Sequence, residues 1–270
     1  MNATVAQNAL TQVRELMGGD SWLKRVIVLV GVIILMVVIL SIGSKVLAAL
    51  LKPSTPYIVN GMITGTGGSK TVKMDAINIE RSDNQEGGLE FTWSVWLNIT
   101  SLSQEGSQYR HIFSKGNNEN VPDPSSMNEP MKPINAPGLF LDPASNSLII
   151  VMNTFETIDE TVRVDSIPLN KWINVIIRVR GLQLDVYING LVVKSVKLES
   201  VPRQNNGDVF ITQNQGFNGY LSNLRYYNYA LEPGDILAVA EKGPSLSVSK
   251  LESNDLSSKG QYLSLQWYFQ

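Results

Sequence analysis

Hydrophobic and polar positions follow distinct patterns along this chain. Residues 26 to 44, VIVLVGVIILMVVILSIGS, are almost wholly aliphatic and carry no charge. At about 1.5 Å per helical residue, such a run reaches nearly across a hydrocarbon core of roughly 30 Å, so a transmembrane helix is expected over 26–51. The run is apolar all round and longer than the usual apolar region of a signal peptide. Before it, Val5, Ala9, Leu10, Val13, Leu16 and Met17 recur at helical spacing until Gly18 and Gly19. That spacing predicts an amphipathic segment over residues 1–25, lying on a membrane or on a partner. Trp22, Lys24, Arg25 and Lys45 stand at the ends of the apolar run, where an interfacial ring and snorkelling cations contact membrane lipid. Basic residues on both sides leave the orientation open.

The proline-containing stretch at 53–56 stops any helix and opens a linker over 52–60. From 61 to 243 the period changes to two, with short runs separated by Gly, Asn, Asp and Pro clusters, the pattern of an antiparallel sandwich. In LEFTWSVWLNI, Phe91, Trp93, Val95, Leu97 and Ile99 share one face, and Thr92, Ser94, Trp96 and Asn98 the other. In KWINVIIRV, Ile173, Val175, Ile177 and Val179 form the apolar set, with Asn174 and Arg178 facing outward. Asn189-Gly190 between two apolar runs predicts a type I′ hairpin. In GFNGYLSNLRYYNYALEPGDI, residues 216–236, Leu221, Leu224 and Tyr226 break the period, and a one-residue bulge near Ser222 and Asn223 restores all three to the core. A helical turn is expected through Asp235, Ile236 and Leu237. The fold class is therefore all-β, an antiparallel β-sandwich preceded by a transmembrane helix.

Composition narrows the chemistry. Twenty-two basic and 24 acidic residues give a net charge of −2, which supplies no basic face for nucleic acid. With no cysteine, disulfides, thiol nucleophiles and Cys-ligated zinc are excluded. The single histidine, His111, argues against a histidine triad, and its place in QYRHIFSKG suggests a strand residue at the sheet surface.

FTWSVWLNI, RHIFSKG, GLFLDPASNSLIIVMN, PLNKWINVIIRVRGLQLDVYINGLVV and GFNGYLSNLRYYNYALEPGDI come in an order that resembles a concanavalin A-like, laminin-G-type jelly roll, over roughly residues 85–240. The resemblance implies structural roles for Trp172 and Tyr227, with Tyr226 and Tyr227 filling the sandwich. It also raises glycan hydrolysis, which in laminarinase-like relatives uses two glutamates flanking an aspartate on one strand. The nearest string, ETIDE at 156–160, has the wrong spacing, so no enzymatic activity is expected. Asp142, Asp159 and Asp208 offer hard oxygens for calcium, but no dense acidic loop marks a site and no cofactor is expected.

Two binding readings follow. The loop 117–137 holds five prolines and would present Met127 and Met131 to a partner. Residues 244–270 form a Ser-rich spacer and a tail carrying Tyr262, Trp267, Tyr268 and Phe269, which covers its own sheet or hooks into another protein. With the N-terminal helix, this layout resembles minor capsid or membrane proteins of large icosahedral DNA viruses. It implies a structural scaffold at the virion internal membrane, lying between membrane and capsid proteins and linking them. The alternative is a membrane-anchored lectin that stacks a glycan on Trp96, Phe217 or Tyr220.

Overall fold

The computed structural model of the chain describes residues 11, 22–50, 55–74, 76–82, 88–102, 109–116 and 135–251. The chain divides into two units, Met1–Lys52 and Pro53–Gln270. In the first, α1 (Trp22–Leu50) is a 29-residue helix. Its segment Arg25–Lys45 has a mean hydropathy of 3.3 and none of it is buried, so it is long and apolar enough to cross a membrane. Trp22, Arg25 and Lys45 are exposed on it, and Lys24 lies in its first turn. Apart from residue 11 and the start of α1, the expected amphipathic segment lies outside the described residues.

The second unit is built from β1 (Met62–Thr64), β2 (Lys70–Val72), β3 (Glu90–Ile99), β4 (Arg110–Gly116), β5 (Gly138–Asp142), β6 (Ser147–Met152), β7 (Glu160–Val164), β8 (Trp172–Arg180), β9 (Gln183–Ile188), β10 (Leu191–Lys197), β11 (Asp208–Ile211) and β12 (Gly219–Tyr227), followed by the helix α2 (Pro233–Lys242). One sheet runs β1-β12-β3-β8-β9-β10 and the other β2-β11-β4-β5-β6-β7.

Alternation builds the space between the sheets. Phe91, Trp93, Val95, Leu97 and Ile99 of β3 and Ile173, Val175, Ile177 and Val179 of β8 all enter the main core, as their spacing predicts. Trp93 stacks 5.4 Å from Phe113 of the opposite sheet and packs 4.9 Å from Tyr226. The bulge in β12 is present: Ser222 pairs with Trp96 and Arg225 with Ser94, so three steps on β12 oppose two on β3. Asn223 takes the left-handed backbone there, with φ of 50°. Leu221, Leu224 and Tyr226 are accordingly buried. Asn189 (φ 52°) and Gly190 (φ 83°) form the β9–β10 turn with the two positive φ values that a type I′ hairpin requires.

The outer face of the first sheet departs from the sequence expectation. α2, with Pro233 at its start and Asp235 in its first turn, packs across it. Ile176, Tyr187, Tyr227, Leu231 and Ile236 close a second apolar cluster there. Asn174 and Arg178 point outward as expected but are buried, not solvated. The Asn174 N–H donates to Asn189 Oδ1 at 2.8 Å, and Arg178 pairs with Asp185 at 3.2 Å. After α2 the chain runs beside β1, where the Met62 N–H donates to Ser247 O at 2.7 Å and the Ser249 N–H to Met62 O at 2.9 Å.

Candidate ligand-binding face

Of the three rings expected to stack a sugar, the structure keeps one at the surface. Phe217 is 2% exposed inside the main core, because the turn before β12 folds its ring inward. Trp96 does lie on the outer face, yet it is 7% exposed. Tyr57, Arg225, Val239, Lys242 and Gly243 close around it, leaving a hollow of about 30 Å³. Alternation assigns its face correctly; the helix covering that face removes it from solvent. Tyr220 is 38% exposed.

Strand register builds a row around Tyr220. Thr64 of β1 pairs with Tyr220 of β12, Tyr220 with Asn98 of β3, and Asn98 with Trp172 of β8. Since Leu221, Leu97 and Ile173 enter the core, Tyr220, Asn98 and Trp172 project from the opposite, outer face. Directly opposed side chains on one face sit about 4.5–5.5 Å apart at Cβ, so the amide lies between the two rings. Asn98 Oδ1 is buried and has no hydrogen-bond partner. Trp172 is half-buried. The family resemblance gives it a structural role, and only the register, which sequence does not give, places it beside Tyr220.

The remaining candidates are held within the protein. His111 is fully buried, contrary to the surface position expected. A register shift in β4 between His111 and Phe113 sets it opposite Phe140, with the rings 5.3 Å apart. The Gln213 N–H donates to His111 Nδ1 at 3.1 Å, so Nε2 carries the proton and donates to Ser114 Oγ at 2.9 Å. Burial lowers the pKa of His111 to about 3. Lys115, also buried, donates to Gly207 O at 2.8 Å and Asn205 O at 3.0 Å, and burial lowers its pKa to about 8. Asp142 pairs with Arg163 at 3.0 Å, and Asp208 accepts from the Met74 N–H at 2.9 Å. Among the described residues no three metal-capable side chains converge, so Asp142, Asp159 and Asp208 are not brought together. In ETIDE, Glu160 opens β7, where its carboxylate accepts the Glu199 N–H at 3.0 Å. Met127, Met131, Tyr262, Trp267, Tyr268 and Phe269 lie outside the described residues.

Comparison with curated proteins gives no match. Among solved structures, the receptor binding domain of botulinum neurotoxin C/D mosaic serotype is similar at 13% identity and a TM-score of 0.50, over 70% of this chain and 46% of that one. The botulinum neurotoxin serotype D binding domain aligns at 14% identity and a TM-score of 0.49, over 70% of this chain and 46% of that one. The binding domain of botulinum neurotoxin DC in complex with rat synaptotagmin II aligns at 15% identity and a TM-score of 0.44, over 57% of this chain and 36% of that one. The chain thus spans less than half the length of each, and for the first, at 13% identity, the likeness is one of fold alone. The family model described as the concanavalin A-like lectin/glucanases superfamily, of laminin-G type, matches residues 67–237. With that match over most of the sandwich and two antiparallel sheets in its place, the chain belongs to the concanavalin A-like lectin/glucanases superfamily.

Proposed function

We propose that this protein is a membrane-anchored glycan-binding module that works without covalent chemistry, binding sugar on the Thr64, Tyr220, Asn98 and Trp172 row. The observation that carries this reading is the row itself, an exposed Tyr220 and a half-buried Trp172 on one outer face with the Asn98 amide between them. A sugar presents an apolar C–H face, which stacks on Tyr and Trp, and hydroxyl donors, which an amide oxygen accepts. α1 supplies the anchor, and only a short stretch of chain joins it to the sandwich. The test is a glycan array probed with the full chain in detergent micelles. Binding to a restricted set of glycans is expected, reduced about tenfold or more by Trp172→Ala or Tyr220→Ala. An array on which the wild-type chain binds nothing would remove the reading.

A second reading keeps the scaffold between an internal virion membrane and capsid proteins. One observation favours it: Leu191, Val192 and Val193 are 73%, 54% and 44% exposed in succession on the edge strand β10, and such runs mark contact surfaces. Crosslinks from Lys194 to an abundant shell protein in native particles would support it. Crosslinks confined to the same chain would count against it.

A further inference from the structure

Two cations meet beside the end of α2. Arg225 of β12 lies between two rings, with its guanidinium carbon 4.6 Å from the Tyr57 ring centre and 4.8 Å from that of Tyr227. Its Nε donates to Thr55 O at 3.1 Å and its Nη2 to Thr55 Oγ1 at 2.9 Å, which fixes the plane of the guanidinium. The Tyr57 hydroxyl accepts from Lys242 Nζ at 3.3 Å and, over a longer 3.5 Å, from Arg225 Nη1. Both contacts end on one oxygen, so the two cations stand within about 7 Å of each other, where like charges repel. Among the described residues neither is in an ion pair, whereas Arg163, Arg178 and Arg180 each have a carboxylate.

These two side chains, with Tyr57, Ser94, Trp96 and Tyr227, border the hollow of about 30 Å³ described above. One water needs about 10–15 Å³, so there is room for about two oxygen-sized groups. Ser94 is 2% exposed, and its Oγ already accepts from Asn174 Nδ2 at 3.2 Å, which leaves the hydroxyl proton to donate into the hollow. Lys242 is exposed, so an anion reaches the pair from solvent. A carboxylate would neutralise one of the two charges. A phosphate monoester carries up to two and presents several acceptor oxygens, which suit a guanidinium fork beside an ammonium. We propose that Arg225 and Lys242 hold the phosphoryl group of a phosphate monoester, with oxygens on both cations and one toward the Ser94 hydroxyl. The anion replaces the repulsion between the cations by two attractions. No part of this site uses the Tyr220, Asn98 and Trp172 row.

Lipid phosphomonoesters and inorganic phosphate both supply this chemistry, and the test separates them. The full chain in neutral detergent micelles is titrated by calorimetry with inorganic phosphate and, separately, with phosphatidic acid dispersed in the same micelles. Chloride and phosphatidylglycerol, which lack a doubly charged monoester, are the controls. Arg225→Gln also removes the bonds to Thr55, so Lys242→Gln, at the exposed end of α2, is the deciding variant. Arg225→Lys, which keeps the charge and loses the fork, is the second. Binding by the wild-type chain, weakened about tenfold or more in Lys242→Gln and in Arg225→Lys, is expected. Binding of inorganic phosphate supports the site with a soluble source, and binding of phosphatidic acid alone supports it with a lipid source. No binding of either at millimolar concentration, unchanged affinity in both variants, or equal affinity for the controls would overturn the proposal.

Discussion

His111 is a neutral imidazole in a sealed site, fixed by one donor and one acceptor and packed edge-on against Phe140. Its folded pKa of about 3 lies below the usual 6.5, so below pH 6.5 the unfolded chain binds more protons at this residue than the folded one. This contribution to stability is present above pH 6.5 and is lost as pH falls toward 3. The loss is about 1.4 kcal/mol per pH unit. Urea unfolding at pH 7 and pH 5 is expected to show a drop of about 2 kcal/mol from this residue, absent in His111→Asn; equal slopes in the two proteins would contradict it. The sequence shows a histidine in an alternating strand but not the register shift at its position. Alternation assigns a face and says nothing about what covers that face.

Secondary-structure elements are the most legible scale. The β12 bulge can be read because Leu221, Leu224 and Tyr226 cannot share a face in an unbroken strand, and the structure resolves that conflict at Asn223. Asn tolerates positive φ, and its Oδ1 also accepts the Gly61 N–H at 3.2 Å. Asn223→Val is expected to cost about 1–3 kcal/mol, whereas Asn223→Gly should stay within about 1 kcal/mol, as measured by denaturation midpoints. Of α2 the sequence shows only a turn, and its packing over Trp96 is invisible there because it depends on long-range contact. Ile236 is fully buried beneath it. Ile236→Ala should cost about 2–4 kcal/mol and shift tryptophan emission to the red as Trp96 meets water. An unchanged spectrum would mean that α2 does not seal that ring.

For the whole molecule, the helix and the sandwich are both legible. An uncharged aliphatic run of that length matches a bilayer, and a long series of alternating strands must bury its apolar faces against a second sheet. The proposed glycan-binding face is not legible. Trp96 stands out as an aromatic residue on the outer face of an alternating strand and Phe217 as one beside a glycine turn, while the row that forms, Thr64, Tyr220, Asn98 and Trp172, collects residues from four strands distant in sequence. Membrane attachment through α1 has its own check. The wild-type chain should resist alkaline extraction from membranes, and Val37→Arg, at the centre of the run, should weaken insertion by about 2.5–3.5 kcal/mol and release a soluble fraction.

The central claim, that a sugar lies on the outer-face row of Tyr220, Asn98 and Trp172, separates stability from binding at one residue. The decisive measurement compares wild-type and Asn98→Leu chains in thermal unfolding and in calorimetric titration with a glycan selected on the array. Replacing an unsatisfied buried oxygen by an apolar group of similar size should leave the melting temperature unchanged or raised. The same substitution should weaken glycan binding by about tenfold or more. Unchanged glycan affinity in Asn98→Leu would contradict the account.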